Sequence, residues 1–85
     1  MSRSLSSPHY VALLRAVIAA RKAAGLKQAE LADRLGQPQS FVSKFERGER
    51  RLDVVELIII ARALGVDEVG LISDIAGNVP QSAKL

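Results

Sequence analysis

Cysteine is absent from this 85-residue chain, and histidine and tyrosine occur once each. Without thiols there is neither a disulfide framework nor a thiolate metal site, and the lone His9 cannot build an imidazole cluster. Tryptophan is also missing and aromatics make up only 4% of residues, so the apolar 48% is mostly Ala, Leu, Val and Ile. Ala and Leu favour helix, and the alternating Val, Thr and Tyr of half-buried strands do not occur. A bilayer-spanning run is lacking too. The longest apolar stretch, "VVELIIIARALGV", is interrupted by Glu56 and Arg62 and falls short of the roughly 20 residues a span needs. No charged-then-apolar leader opens the chain. The expectation is a soluble cytoplasmic protein of one domain. Paired carboxylates, a nucleophile–base arrangement and a phosphate-cradling Gly-rich loop are all missing from the pattern. An enzyme is therefore not expected, and no cofactor, metal or small-molecule ligand is indicated.

Charge of one sign is scarce in each half of what remains. Residues 21–51 carry eight Lys/Arg against four acids, a balance of +4, whereas residues 52–85 carry two against five, a balance of −3. Residues 1–20 add Arg3 and Arg15, for the overall +3. A basic segment beside an acidic one suggests one side that faces a polyanion and another turned elsewhere. The plainer reading is a solvated charged surface.

The punctuation divides the chain into five helices. A polar arm over residues 1–7, Ser-rich and expected to be flexible, ends in Ser7-Pro8, an N-cap followed by proline at the first helical position. Val11, Leu14, Val17 and Ile18 recur at helical spacing to about residue 24, where Gly25 supplies a stop. Residues 28–35, with Leu31 and Leu35, end at Gly36. Residues 39–47, with Val42 and Phe45 inward, end at Gly48. Asp53 and Glu56 have capping-box spacing and open a helix over 53–64 before Gly65. A last helix covers 67–76, and a tail over 77–85 has little to bury. Residues 8–76 thus read as a compact all-α five-helix bundle with no internal repeat.

The second and third helices are joined by a turn too short to return the chain antiparallel, so they cross steeply. The third then protrudes, anchored by Val42 and Phe45, with Gln39, Ser40, Ser43 and Lys44 on its outer face. A rod of hydrogen-bonding side chains of this kind fits a DNA major groove about 12 Å wide.

The stretch "GLKQAELADRLGQPQSFVSKFERGERR…VVELIIIARALGV" resembles the phage-repressor helix-turn-helix family of the Cro/cI or XRE type. The matching residues are Gly25-Leu26, Gln28, Glu30-Leu31-Ala32, Gly36, Ser43-Lys44, Glu46-Arg47-Gly48, Ala61 and Leu64-Gly65-Val66. The resemblance covers roughly residues 11–72. It implies a lambda-repressor-like five-helix DNA-binding fold, usually dimeric, that regulates transcription. It also implies base-reading roles for Gln39, Ser40, Ser43 and Lys44. A phosphate contact falls on Gln28, at the N-terminus of the second helix, and backbone contacts fall on Arg47, Arg50 and Arg51 after the third. Arg21 and Glu46 match positions that form a structural ion pair in the family.

Two positions depart from the family pattern. Lys27 stands where Thr or Ser usually caps the second helix; lysine cannot cap, although it can add a phosphate contact. Pro38 precedes the third helix in place of Ser and leaves open whether Gln37 or Gln39 reaches the bases. Phe41 is read equally as a packing residue and as a contact to sugar or a thymine methyl. Arg34 is expected to be a solvated residue and not a DNA contact, Tyr10 and His9 to be packing or surface residues, and Arg3 part of the arm.

The helix over 53–64 is apolar almost all round, whereas one core requires only a stripe. Leu57, Ile60, Ala61 and Leu64 match core positions, which leaves Ile58 and Ile59 over. A homodimer interface through Ile58, Ile59, Val69, Ile72 and Ile75 is the expected use of that surplus. The expected partner is double-stranded DNA bearing an inverted-repeat operator. The competing reading is a protein-docking module, or an antitoxin that uses the tail after Gly77 to hold its partner.

Overall fold

The computed structural model describes residues 7–85, so the expectations for residues 1–6, Arg3 included, lie outside the described residues. Five helices follow in order: α1 Pro8–Ala23, α2 Gln28–Leu35, α3 Gln39–Glu46, α4 Val54–Leu64 and α5 Glu68–Ala76. No strand occurs among the described residues. The all-α, five-helix architecture anticipated from helical periodicity is the observed one.

Each helix start has a local cause. Pro8 occupies the first turn of α1, where its missing N–H costs nothing, but the Ser7 side chain makes no cap hydrogen bond, contrary to expectation. At α4 the Asp53 carboxylate accepts from the Glu56 N–H at 2.7 Å, and Glu56 accepts from the Asp53 N–H at 3.0 Å. This closes the expected capping box. At α5 the Asp67 carboxylate accepts from the Gly70 N–H at 2.9 Å.

The turn between α2 and α3 does most to set the geometry of the molecule. Gly36 adopts φ 67°, and behind it the Gln37 N–H donates to the Ala32 carbonyl at 3.0 Å. A Cβ on Gly36 would meet nothing within 4 Å, so glycine is needed for its backbone conformation and not for space. Pro38 then sits at the N-cap of α3 in an extended conformation and not in its first turn, and α3 opens at Gln39.

The core gathers one face from every helix. Val17, Leu31, Ala32, Val42, Phe45, Leu57, Ile60, Ala61, Leu64 and Leu71 are buried together with the loop residue Leu52. Along α1 the buried stripe is Tyr10, Leu14, Val17 and Arg21, while Val11 and Ile18 are only half-buried. Tyr10 is held by more than packing. Its hydroxyl oxygen accepts from the Leu52 N–H at 2.9 Å, and the Arg51 guanidinium lies 4.1 Å above its ring. The α3–α4 loop is thereby pinned to α1. Arg34, expected to be solvated, donates to the Ala63 carbonyl at 2.9 Å and ties α2 to the end of α4. No described helix is long and apolar enough to cross a membrane.

Candidate nucleic-acid interface

Helix α3 has two unlike faces. Val42 and Phe45 are fully buried, which fixes its rotation, and Gln39, Ser40 and Lys44 are consequently exposed. Ser43 is half-buried and its hydroxyl donates to the Ser40 carbonyl at 3.3 Å. Of the two glutamines near the turn, Gln39 stands at the start of α3 beside α2. Gln37 lines a cleft with Leu35, Phe41, Arg50, Glu56, Ile59 and Ile60.

Behind the outer face runs a chain of polar contacts that joins three helices. Arg21 Nε donates to Glu46 Oε2 at 2.7 Å and Nη2 to Oε1 at 3.1 Å, a bidentate pair between α1 and α3. The third arm, Nη1, donates to the Leu26 carbonyl at 2.8 Å. The side chains of Arg21 and Glu46 are only 10% and 6% exposed. Glu46 Oε1 also accepts from Gln28 Nε2 at 2.8 Å, and Gln28 Oε1 accepts from Gln39 Nε2 at 3.4 Å. Gln28 and Gln39, from the starts of α2 and α3, thus meet at the surface above a buried charge pair. No buried side-chain nitrogen or oxygen among the described residues is left without a partner.

The basic residues fall into different environments. Lys27 makes no side-chain cap, as its chemistry requires; its backbone N–H is instead taken by the Glu30 carboxylate at 2.8 Å, a contact the sequence reading missed. Lys27 itself is exposed, at the N-cap of α2. Arg47 and Glu49 form a bidentate pair at 2.8 and 3.1 Å, with side chains 57% and 53% exposed. The Arg47 hydrogen bond holds the Glu49 carboxyl below its usual range, and Glu49 raises Arg47 further. Such an exposed pair is weak and re-partners easily. Arg50 is more firmly engaged. Its Nη1 and Nη2 grip Glu56 at 3.1 and 2.6 Å, Nη1 also reaches the Arg51 carbonyl at 3.1 Å, and the guanidinium lies 4.6 Å from the Phe41 ring centroid. Phe41 in turn packs edge-on against Phe45, with centroids 5.7 Å apart, so its packing role is the one observed.

Glu56 gives the fold a dependence on pH. The Arg50 hydrogen bond, and then the Asp53 N–H, hold its carboxyl below the ordinary carboxylate range. A carboxyl depressed in the folded state stabilises fully above its unfolded value of about 4.3 and loses that contribution as pH falls through the folded value. Glu56→Gln is expected to cost up to about 1 kcal/mol at pH 7, as partly exposed pairs do. The difference from the parent should shrink below about pH 4.3. Urea unfolding between pH 3 and 7 reads both, and a difference that stays constant across that range would disprove the assignment.

The apolar surplus lies on α4 and α5. Ile59, Val69 and Ile72 are 51%, 71% and 41% exposed, whereas Ile58 is half-buried. Ile75 is half-buried and packs against the core. Val54 and Val55, which the sequence reading passed over, are 67% and 64% exposed. An Arg62–Glu68 contact at 3.4 Å bridges the two helices beside the patch.

Comparison with known proteins agrees with this geometry. The family model described as "Helix-turn-helix" (HTH_3) matches residues 17–71, well over half of the chain. A protein of Sinorhizobium fredii described as "Uncharacterized HTH-type transcriptional regulator y4dJ" is 42% identical over 53 residues, 62% of this chain and 69% of that protein. Among solved structures, an XRE-family-like protein from Pseudomonas syringae pv. tomato is 51% identical, with a TM-score of 0.79 over 85% of this chain and 88% of its own. The clp gene regulator ClgR of C. glutamicum shares the fold at 23% identity, with a TM-score of 0.75 over 91% of this chain and all of its own. The chain therefore belongs to the XRE-type helix-turn-helix family of transcriptional regulators.

Proposed function

We propose that this protein is a sequence-specific regulator of transcription that works in the cytoplasm and binds double-stranded DNA as a homodimer, with α3 in the major groove. The observation that carries the reading is the outer face of α3. Gln39, Ser40 and Lys44 are exposed on a helix whose rotation is fixed by the buried Val42 and Phe45 and by the Arg21–Glu46 pair. Glutamine offers adenine a bidentate pair, lysine reaches guanine O6 and N7, and Ser40 and Ser43 hydrogen-bond to any base edge. Phosphate contacts fall to Lys27 and Gln28 at the start of α2, where helix N–H groups favour an anion, and to Arg47 and Arg51 after α3.

Roles of these two kinds separate by substitution. Lys44→Ala and Gln39→Ala should change which sequences bind, each by about 1–3 kcal/mol of discrimination. Lys27→Ala should weaken all sequences alike and make the salt dependence shallower by about 0.9, the contribution of one phosphate. Competition binding with point-substituted duplexes measures both. A shifted preference in Lys27→Ala with none in Lys44→Ala would reverse the assignment.

The function itself is tested by titrating salt against binding to mixed duplex DNA. Binding through several phosphates must fall steeply, with a slope of about −0.9 per contact. A flat response, or no binding at low salt, favours a module that docks a protein partner.

A further inference from the structure

Arg50 lies in the basic loop after α3, where a phosphate contact is the obvious assignment, but its guanidinium is already committed in three directions. The forked edge holds Glu56 at 2.6 and 3.1 Å, Nη1 also reaches the Arg51 carbonyl at 3.1 Å, and the guanidinium carbon lies over the Phe41 ring, 4.6 Å from its centroid. Phe41 is in the first turn of α3 and Glu56 in the first turn of α4. Glu56 is fixed in its own right, because the same Oε1 accepts the Asp53 N–H that closes the α4 capping box. The guanidinium is therefore held between the starts of two helices, at a cleft that Leu35 and Ile60 also line.

We infer that Arg50 is a positioning residue, not a DNA contact: it clamps the first turn of the recognition helix to α4 through Phe41 and Glu56, and so sets how far the α3 outer face stands out from the body of the protein. The inference rests on the DNA-binding reading above. Geometry and charge point the same way. With Glu56 beside it the pair is electrically neutral toward a phosphate, and a phosphate can take the fork only by displacing a carboxylate that also caps α4. The side chains of Arg50 and Glu56 are 41% and 27% exposed, so the site is shielded on its Phe41 side and wet on the other. Arginine is needed for this task, since the ammonium of lysine can neither grip a carboxylate in a fork nor lie flat on a ring. For a phosphate contact, by contrast, lysine serves as a point charge.

Three variants decide the matter: Arg50→Ala, Arg50→Lys and Glu56→Gln, each checked for folding by circular dichroism and assayed for duplex binding across a range of salt. The clamp predicts that Arg50→Ala binds severalfold more weakly with the parent's salt slope, that Arg50→Lys does not restore binding, and that Glu56→Gln reproduces Arg50→Ala. It also predicts that the double variant is no worse than either single one. A slope shallower by about 0.9 in Arg50→Ala, recovery in Arg50→Lys, or tighter binding in Glu56→Gln overturns it and returns Arg50 to the phosphate. If the parent binds no duplex at low salt, the DNA-binding reading has failed and the positioning role falls with it. If the parent binds normally and the variants behave as phosphate contacts, the clamp alone has failed.

Discussion

Glu46→Ala is expected to lower the free energy of unfolding by about 3–5 kcal/mol, the cost of removing one partner from a buried pair. The Arg21 side chain is only 10% exposed and spends two of its arms on Glu46, so truncation leaves a largely buried charge without its carboxylate. The Gln28 amide loses its acceptor at the same stroke. Small domains are stable by about 5–15 kcal/mol, so the loss is a large fraction of the total. The exposed Arg47–Glu49 pair is the internal contrast, because its removal should leave stability close to the parent's. Removing both buried partners, as Arg21→Met with Glu46→Leu, should recover much of the loss, since an apolar replacement leaves no stranded charge. The Leu26 carbonyl would still lack its donor. Urea unfolding of the four proteins measures all of this. A change below about 0.5 kcal/mol for Glu46→Ala, the level of an ordinary surface site, would mean that the pair is solvated in solution.

The second large effect is on assembly. We propose that two copies meet across the apolar patch of α4 and α5, through Val55, Ile58, Ile59, Val69 and Ile72. Full burial of one such side chain gains roughly 1.5–3 kcal/mol, so several exposed together make an unpaired surface sticky. The basic faces repel one another and are assigned to DNA in the proposed function, which leaves this patch as the natural contact. Two-fold symmetry then sets the two recognition helices about 34 Å apart, one turn of DNA. Ile59→Lys combined with Val69→Lys is the informative variant, because both side chains are more than half exposed and the monomer can accept the change. Ile58, half-buried, would confuse loss of pairing with loss of fold. The double variant should be a folded monomer by light scattering. It should bind operator DNA about 10²–10⁴-fold more weakly, the loss expected when two linked sites become independent. A monomeric parent at high micromolar concentration would contradict this interface.

The parts of this structure that could be read from sequence are those set by local chemistry. Apolar residues at helical spacing mark all five helices, Gly36 and Gly65 adopt the left-handed conformation that ends α2 and α4, and Asp53 with Glu56 closes the box that opens α4. What could not be read depends on residues distant in the chain. The Tyr10 hydroxyl finds its partner 42 positions away, at Leu52, and no spacing rule connects them. Arg34 is exposed as expected, but its bond to the Ala63 carbonyl at the end of α4 arises only when the two helices meet. At the interface, Gln39 and Lys44 stand out because Val42 and Phe45 fix the phase of α3. The meeting of Gln39 with Gln28 and the capture of Arg50 by Glu56 depend on how α2 and α4 cross it. Residue type placed five basic side chains near the interface, and only the fold distinguishes Lys27, exposed beside Gln28, from Arg50, wedged against Phe41.

The central claim is that the outer face of α3 reads base pairs, and selection of binding sites from random duplex DNA tests it most directly. The account predicts enrichment of an inverted repeat whose half-sites lie about one helical turn apart, with the preference at one or two positions per half-site lost when Lys44→Ala or Gln39→Ala replaces the parent. A pool that enriches no motif, or the same motif selected equally well by both variants, would contradict it.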